Sequence, residues 1–302
     1  MPNAVVMTGY GSPEVLKWGE VARREPGEGQ IRIKVKAAGI SPTDLALRAG
    51  HLREAIPLPP NAVLGFEAAG TVDAVGPGVT GTSAGDDVTA LLFGLGGYAE
   101  YAVTSVWTLK PDTVSWTDAA ALPSSAEAAV GVLRQLNVKR GETLLLFGGG
   151  GSVGTIATQL AVTRGIKVIS AVGEHDERVA WELGATPVRY GAGLADRVRA
   201  LGAVDAVFDA AGKGVLADAI ALAGGPGRVI TLSDPAASDF GVTLSQPTSD
   251  RAPGALDETI ALLADGRLRL RAHKSMPMQQ AADAHRQLES GNVHERIILT
   301  LE

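Results

Sequence analysis

The chain has 302 residues, enough for one large or two ordinary domains with a substantial core. Hydrophobic residues make up 45% and charged residues 20%, the proportions of a globular protein rather than a disordered or fibrous one. The balance of 27 basic against 33 acidic residues leaves −6, which argues against a nucleic-acid partner, and the absence of cysteine excludes disulfides, thiolate metal sites and cysteine nucleophiles.

No apolar run is long enough to cross a bilayer, and the opening Met-Pro-Asn-Ala-Val-Val-Met lacks the basic stretch and apolar segment of a secretion signal. A cytoplasmic location with no membrane partner is expected. Residues 1–118 read as β-rich. Ile31, Ile33 and Val35 alternate with Arg32, Lys34 and Lys36, the period-two signature of a strand with one wet face. Turn signals recur at Pro26-Gly27, Pro59-Pro60, Gly76-Pro77-Gly78 and Gly96-Gly97, so this part is expected to form a barrel or sandwich.

The pattern changes near Ser115–Asp118. An alanine-rich stretch leads to a helix around 125–136, and strands then alternate with helices. Strands are expected at 143–147, 166–171, 204–209 and 228–232, with a short one near 242–244; helices at 152–164, 176–183, 194–201 and 214–223. That alternation specifies a parallel sheet with right-handed crossovers. After 253 come a helix over Leu256–Ala264, another over Gln279–Glu289 and an end strand, Ile297–Leu299.

The most informative stretch is Thr143–Phe147 followed by Gly-Gly-Gly-Gly-Ser-Val-Gly. Gly149, Gly151 and Gly154 fit G-x-G-x-x-G: the first for a tight turn, the second for approach of a pyrophosphate, the third for close helix–strand packing. Val153, Ile156, Ala157, Leu160 and Ala161 give the following helix one apolar stripe. Two lesser readings use the same residues: Gly150, Ser152 and Gly154 also spell G-x-S-x-G, the elbow of a hydrolase nucleophile, and the glycines could serve only a plain α/β turn. No lysine accompanies the loop, which argues against a triphosphate-binding loop.

Several further segments occur in a telling order: Ala37–Asp44 (Ala-Ala-Gly-Ile-Ser-Pro-Thr-Asp), Leu64–Gly70 (Leu-Gly-Phe-Glu-Ala-Ala-Gly), Gly96–Tyr101 (Gly-Gly-Tyr-Ala-Glu-Tyr), the glycine loop, Phe208–Gly212 and Ala284–Gly291. With them the chain resembles the medium-chain dehydrogenase/reductase superfamily, and within it the zinc-free quinone oxidoreductase, or zeta-crystallin-like, branch. The resemblance implies an α/β protein: a GroES-like β-barrel substrate domain from residues 1–118 and 256–302, and a Rossmann doubly wound parallel-sheet domain from 119–255. It also implies that Ser152 is a loop residue near a pyrophosphate, not a nucleophile.

Zinc-dependent relatives place a cysteine and a histidine where this chain has Ser41 and Phe66, so no catalytic zinc is expected. The five histidines (51, 175, 273, 285, 294) make no close pair, and His285 reads as a helix-surface residue. The acceptor implied is a small molecule needing little electrophilic help: a quinone or another conjugated carbonyl. An enone or enoyl-thioester reductase, or a low-activity NADPH-binding protein, is the alternative. Ser41 and Thr43 are the implied catalytic hydrogen-bond donors, though Ser41-Pro42-Thr43-Asp44 also reads as a helix N-cap with proline at N1. Many relatives carry asparagine at the Ser41 position and an aromatic residue at that of Ala46. Tyr98 and Tyr101 read as packing residues rather than proton donors.

The resemblance implies cofactor contacts from Gly149, Gly150, Gly151, Ser152, Val153, Gly154, Gly173, Arg178, Tyr190, Asp209, Ala211, Gly212 and Leu232. An NAD-specific site holds an acid at the end of the second strand, where this chain has Ala171, so NADPH is expected, with NADH as the lesser option. Tyr190 matches a tyrosine of NADPH-using relatives; their lysine position is Glu177, leaving Arg178 or Arg189 to meet a 2′-phosphate. Glu174 and Asp176 count the other way. A homodimer is implied, with the strand near Val242 extending the sheet across a two-fold axis.

Overall fold

The computed structural model describes residues 1–248 and 250–301. The chain divides into two units: Met1–Ser124 with Leu256–Asp265 and Ala272–Glu302, and Ser125–Ala255 with Gly266–Arg271.

The first unit is built on a seven-stranded sheet. His273–Pro277, Arg296–Thr300, Ile31–Gly39, Glu67–Val75, Asp87–Leu91 and Val106–Leu109 follow one another across it, and Tyr101–Thr104 also pairs with Ile31–Gly39. A smaller sheet joins Leu16–Glu20, Asn3–Met7 and Ala62–Val63. The expected alternation holds on one face, where Ile31, Ile33 and Val35 enter a core with Leu64, Val72, Val88, Ile297 and Leu299. On the other face Arg32 departs from it. Its side chain is buried, and Asp73 (2.6 Å) and Glu25 (2.8 Å) neutralise the guanidinium, which is how a charged residue enters a buried position.

His273–Pro277 is a strand absent from the sequence expectation. Its sequence, His-Lys-Ser-Met-Pro, carries no apolar alternation, and it lies at a sheet edge, paired in parallel with Arg296–Thr300. Pairing to a core strand, rather than its own pattern, makes it a strand.

The second unit holds a six-stranded, all-parallel sheet in the order Thr186–Arg189, Lys167–Val172, Thr143–Phe147, Ala206–Asp209, Val229–Thr231, Thr243–Leu244. Numbered along the chain within this unit, that is 3-2-1-4-5-6, the order of a Rossmann fold. Thr186–Arg189 is the other strand absent from the sequence expectation. It is four residues long, contains Pro187 and sits at the edge, the position where proline's missing donor is tolerated. Helices Ser152–Thr163, Glu177–Glu182, Leu194–Leu201 and Leu216–Ala223 connect the strands. Leu145, Phe147, Ile169, Val188, Val198, Val207 and Leu216 form a core at the sheet.

Among the described residues no helix is long and apolar enough to cross a membrane.

Candidate functional site

The central strand of the Rossmann sheet, Thr143–Phe147, ends in the glycine turn. The residue that turns in the left-handed region is Gly148, at φ 82°, rather than Gly149, the position that the motif register assigns. Gly149 instead permits a close approach: a Cβ there would overlap the Ser170 hydroxyl and lie 3.1 Å from Ser170 Cβ. Gly151 is the N-cap of helix Ser152–Thr163, with extended backbone (φ −74°, ψ 170°). A Cβ on it would meet one neighbour, the Gly148 carbonyl oxygen at 3.2 Å, so its outer side is open. Gly154 is the packing glycine: a Cβ there would overlap the Gly148 carbonyl and lie 2.6 Å from Gly149 Cα. Ser152, Val153 and Gly154 form the first helical turn, whose N–H groups have no intrahelical acceptor and carry the positive end of the helix dipole. No hydrogen bond joins the Ser152 hydroxyl to a histidine among the described residues.

Three side chains close on this turn. Tyr190 accepts a hydrogen bond from the Gly148 N–H at 2.5 Å, and burial raises its phenol pKa. Arg271 donates to the Gly150 carbonyl. The Asp176 carboxylate lies where a Gly150 side chain would project. Arg271 escapes sequence reasoning because more than a hundred residues separate it from the loop. Its segment is drawn in by a reciprocal pair, Gln159 Nε2 to the Arg269 carbonyl and Arg269 N–H to Gln159 Oε1, both 2.8 Å.

Beside the turn, at the carboxyl end of Lys167–Val172, Ala171 is buried and Gly173 faces open space. Arg189 lies in register with Val172 on the neighbouring strand and is paired with Glu177 and Glu174. Arg178 lies on the exposed side of its helix, bound to Glu182 at 2.6 Å, a turn away along the chain. It is not among the groups gathered at the glycine turn.

Ala206–Asp209 ends next to the turn, with the Ala210 N–H bonded to the Phe147 carbonyl at 3.0 Å. Asp209 is fully buried and shapes the loop that follows. Its Oδ1 accepts from the N–H groups of Ala211 (2.9 Å) and Gly212 (3.0 Å), its Oδ2 from the Thr231 hydroxyl (2.8 Å), and its carbonyl from Leu232 N–H (3.0 Å). A carboxylate with three donors is a scaffold for backbone: it holds the Ala211–Gly212 loop, and Ala211 packs half-buried against the core of the unit.

In the first unit, Ser41 caps helix Pro42–Ala49 through a capping box with Asp44. The Ser41 hydroxyl donates to Asp44 Oδ2 at 2.6 Å, the Ser41 N–H reaches the same oxygen at 2.8 Å, and the Gly65 N–H donates to Oδ1 at 3.0 Å. Asp44 is fully buried, and burial raises its pKa. The Ser41 proton is therefore committed, while the half-buried Thr43 hydroxyl has no hydrogen-bond partner among the described residues. Phe66 stands next to Glu67, which is buried and paired with Arg296. Arg296 also donates to the Ala121 carbonyl at 2.6 Å, and burial lowers its pKa to about 10, so it stays charged at neutral pH. Among the described residues no group of three or more His, Cys, Asp or Glu is placed to hold a metal ion.

His285 corrects the sequence expectation of a helix-surface residue. It is fully buried, edge-on to Tyr98 with ring centroids 5.9 Å apart, and its Nε2 lies 3.4 Å from the Tyr98 hydroxyl. The apolar stripe of Ala281, Ala284 and Leu288 carries it inward. Burial lowers its pKa to about 3 and pushes that of Tyr98 well up, so both are neutral in the ordinary pH range.

A doubly wound sheet with a glycine turn at its central strand, joined in one chain to a separate β-sheet unit, defines a dinucleotide-fold protein of the two-unit kind. Known proteins place it more closely. Residues 27–111 match the alcohol dehydrogenase GroES-like domain and residues 183–299 a family described as zinc-binding dehydrogenase. A quinone oxidoreductase of Sus scrofa is 34% identical over 62% of this chain and 57% of its own length. One of Pseudomonas aeruginosa is 29% identical over 95% of this chain and 96% of its own. The solved quinone oxidoreductase of Pseudomonas syringae superposes with a TM-score of 0.87 at 27% identity, covering 100% of both chains. That of Escherichia coli, solved in complex with NADPH, gives 0.86 at 25% identity over 99% of this chain and 100% of its own. The chain belongs to the medium-chain dehydrogenase/reductase superfamily, on its quinone oxidoreductase branch.

Proposed function

We propose that this chain is a zinc-independent, NADPH-dependent oxidoreductase that passes a hydride to a quinone or another conjugated carbonyl. The observation that carries the reading is the glycine turn. Side chains at Gly149 and Gly154 would overlap their neighbours, while Gly151 is open on its outer side beside the uncommitted N–H groups of the first helical turn. That is the form of a cradle for a pyrophosphate, so the residues present fit a dinucleotide. The NADPH-bound Escherichia coli relative supports the choice of cofactor.

When bound, NADPH supplies a hydride, and a quinone takes it with little electrophilic help because reduction aromatises its ring. The N–H groups of Ser152, Val153 and Gly154 would hold the phosphates, with Gly150 kept in place by Arg271. Asp209 fixes the Ala211–Gly212 loop, which with Leu232 would hold the nicotinamide half of the cofactor, and Gly173 and Tyr190 would hold its adenosine half. Thr43 donates to the substrate oxygen as charge develops there. Ser41, its proton held by Asp44, keeps the helix start rigid and offers the substrate an acceptor rather than a donor. Ser41 and Phe66 at the positions of the first two zinc ligands support a metal-free reaction.

A low-turnover NADPH-binding role is the second reading, favoured by the commitment of the Ser41 hydroxyl to Asp44. NADPH oxidation with 1,4-benzoquinone, 2-hexenal and a crotonyl thioester in parallel separates the readings: quinone turnover supports ours, alkene reduction favours the enone alternative, and binding without turnover favours the second role. Elemental analysis that found one zinc per chain would overturn the metal-free reaction. The reading extends to a cytoplasmic homodimer paired through Thr243–Leu244, an edge strand whose two residues are exposed. Sedimentation as a monomer would remove that part.

A further inference from the structure

Arg189 ends its strand in register with Val172, at the carboxyl edge where a doubly wound fold receives the adenosine ribose. Two carboxylates already hold it. Glu177 grips the guanidinium at two points, Nε to Oε1 and Nη2 to Oε2 (3.0 Å), and Glu174 stands 3.3 Å from Nη2. A planar, two-point pairing of this kind is also how arginine binds a phosphate. Arg178 is occupied by Glu182 at 2.6 Å, and Arg197 is spent on the carbonyls of Arg189 and Ala192, both at 2.7 Å. Gly173 leaves open space at the strand end, and Ala171 brings no acid of its own.

We propose that Glu177, with Glu174 beside it, occupies the place on Arg189 that a ribose 2′-phosphate would take, so that Glu177 sets how strongly this chain distinguishes phosphorylated from unphosphorylated dinucleotides. The inference rests on the dinucleotide reading above. An incoming 2′-phosphate must release Arg189 from Glu177 and then lie among carboxylates of its own sign. An unphosphorylated ribose meets neither cost. Arg189 holds the Glu177 carboxyl below its usual range, so Glu177 is ionised and opposes the phosphate throughout the neutral range. The preference for NADPH is thereby narrowed, and NADH remains a usable ligand.

The test is calorimetric titration of the full chain with NADP⁺ and with NAD⁺, which needs no turnover. Glu177→Gln is expected to tighten NADP⁺ binding about fivefold, the scale of one exposed charge pair, and to leave NAD⁺ within about twofold. Glu174→Gln gives a smaller change in the same direction. Arg189→Gln weakens NADP⁺ alone. If Glu177→Gln leaves the ratio of the two affinities unchanged, the inference is overturned while the dinucleotide site stands. If the wild-type chain binds neither nucleotide, the dinucleotide reading itself falls.

Discussion

Ser41, Thr43 and His285 show how far single residues reveal their work. The Ser41–Asp44 capping box is written locally, three residues apart, and is legible in the sequence alone. That Asp44 accepts the Ser41 hydroxyl's hydrogen bond while fully buried is not legible there, because the Gly65 N–H on its other oxygen comes from another segment. Under the proposed function the donor role falls to Thr43: Thr43→Val is expected to lower kcat/KM with a quinone by about tenfold or more, and Ser41→Ala by less, read by steady-state kinetics. His285 is illegible for the same reason as Asp44: helix periodicity places it near the apolar stripe, but only packing against Tyr98 makes it buried. Its folded pKa, about 3 against 6.5, lies below the unfolded value, so on acidification the unfolded chain takes up a proton before the folded one does. Stability is accordingly intact above pH 6.5 and falls as the pH drops toward 3, by about 1.4 kcal/mol per pH unit once well below 6.5. Denaturant titrations between those limits should show this slope in wild type and a shallower one in His285→Gln. Equal slopes would place His285 outside the linkage.

At the scale of elements, the glycine turn separates packing from ligand approach. Gly154 faces backbone that cannot yield, so Gly154→Ala is expected to destabilise the chain by about 1–3 kcal/mol, measured by thermal or denaturant unfolding. Gly151 meets a single carbonyl at 3.2 Å, so Gly151→Ala should leave unfolding nearly unchanged and weaken NADPH binding instead. Similar losses of stability in both variants would contradict that division. The strand–turn–helix is legible because three signals coincide: an apolar run, consecutive glycines and a 3.6-residue stripe. The assignment of the tight turn to Gly149 fails by one residue, since four adjacent glycines offer the same sequence for different backbone conformations and Gly148 is the one at positive φ. The edge strands Thr186–Arg189 and His273–Pro277 are illegible because neighbours impose their conformation while their own residues carry proline and little apolar alternation.

For the whole molecule, the alternation of strands and helices specifies a parallel sheet with right-handed crossovers, but that rule admits more than one strand order, and 3-2-1-4-5-6 is read from the structure. Ordered anchors along nearly the entire chain carry the family, which no single glycine motif could. What a linear reading does not carry is the return of distant segments. Gly266–Arg271 belongs to the Rossmann unit although the residues on both sides of it belong to the other, and that return brings Arg271 to Gly150. The most direct measurement is loss of NADPH absorbance on adding 1,4-benzoquinone to chelator-treated protein. For a metal-free hydride transfer to quinone, the expected result is quinone-dependent oxidation that chelation does not diminish and that Thr43→Val slows. Tight NADPH binding with no acceptor-dependent oxidation by quinone, enal or thioester, or turnover restored only by added zinc, would contradict it.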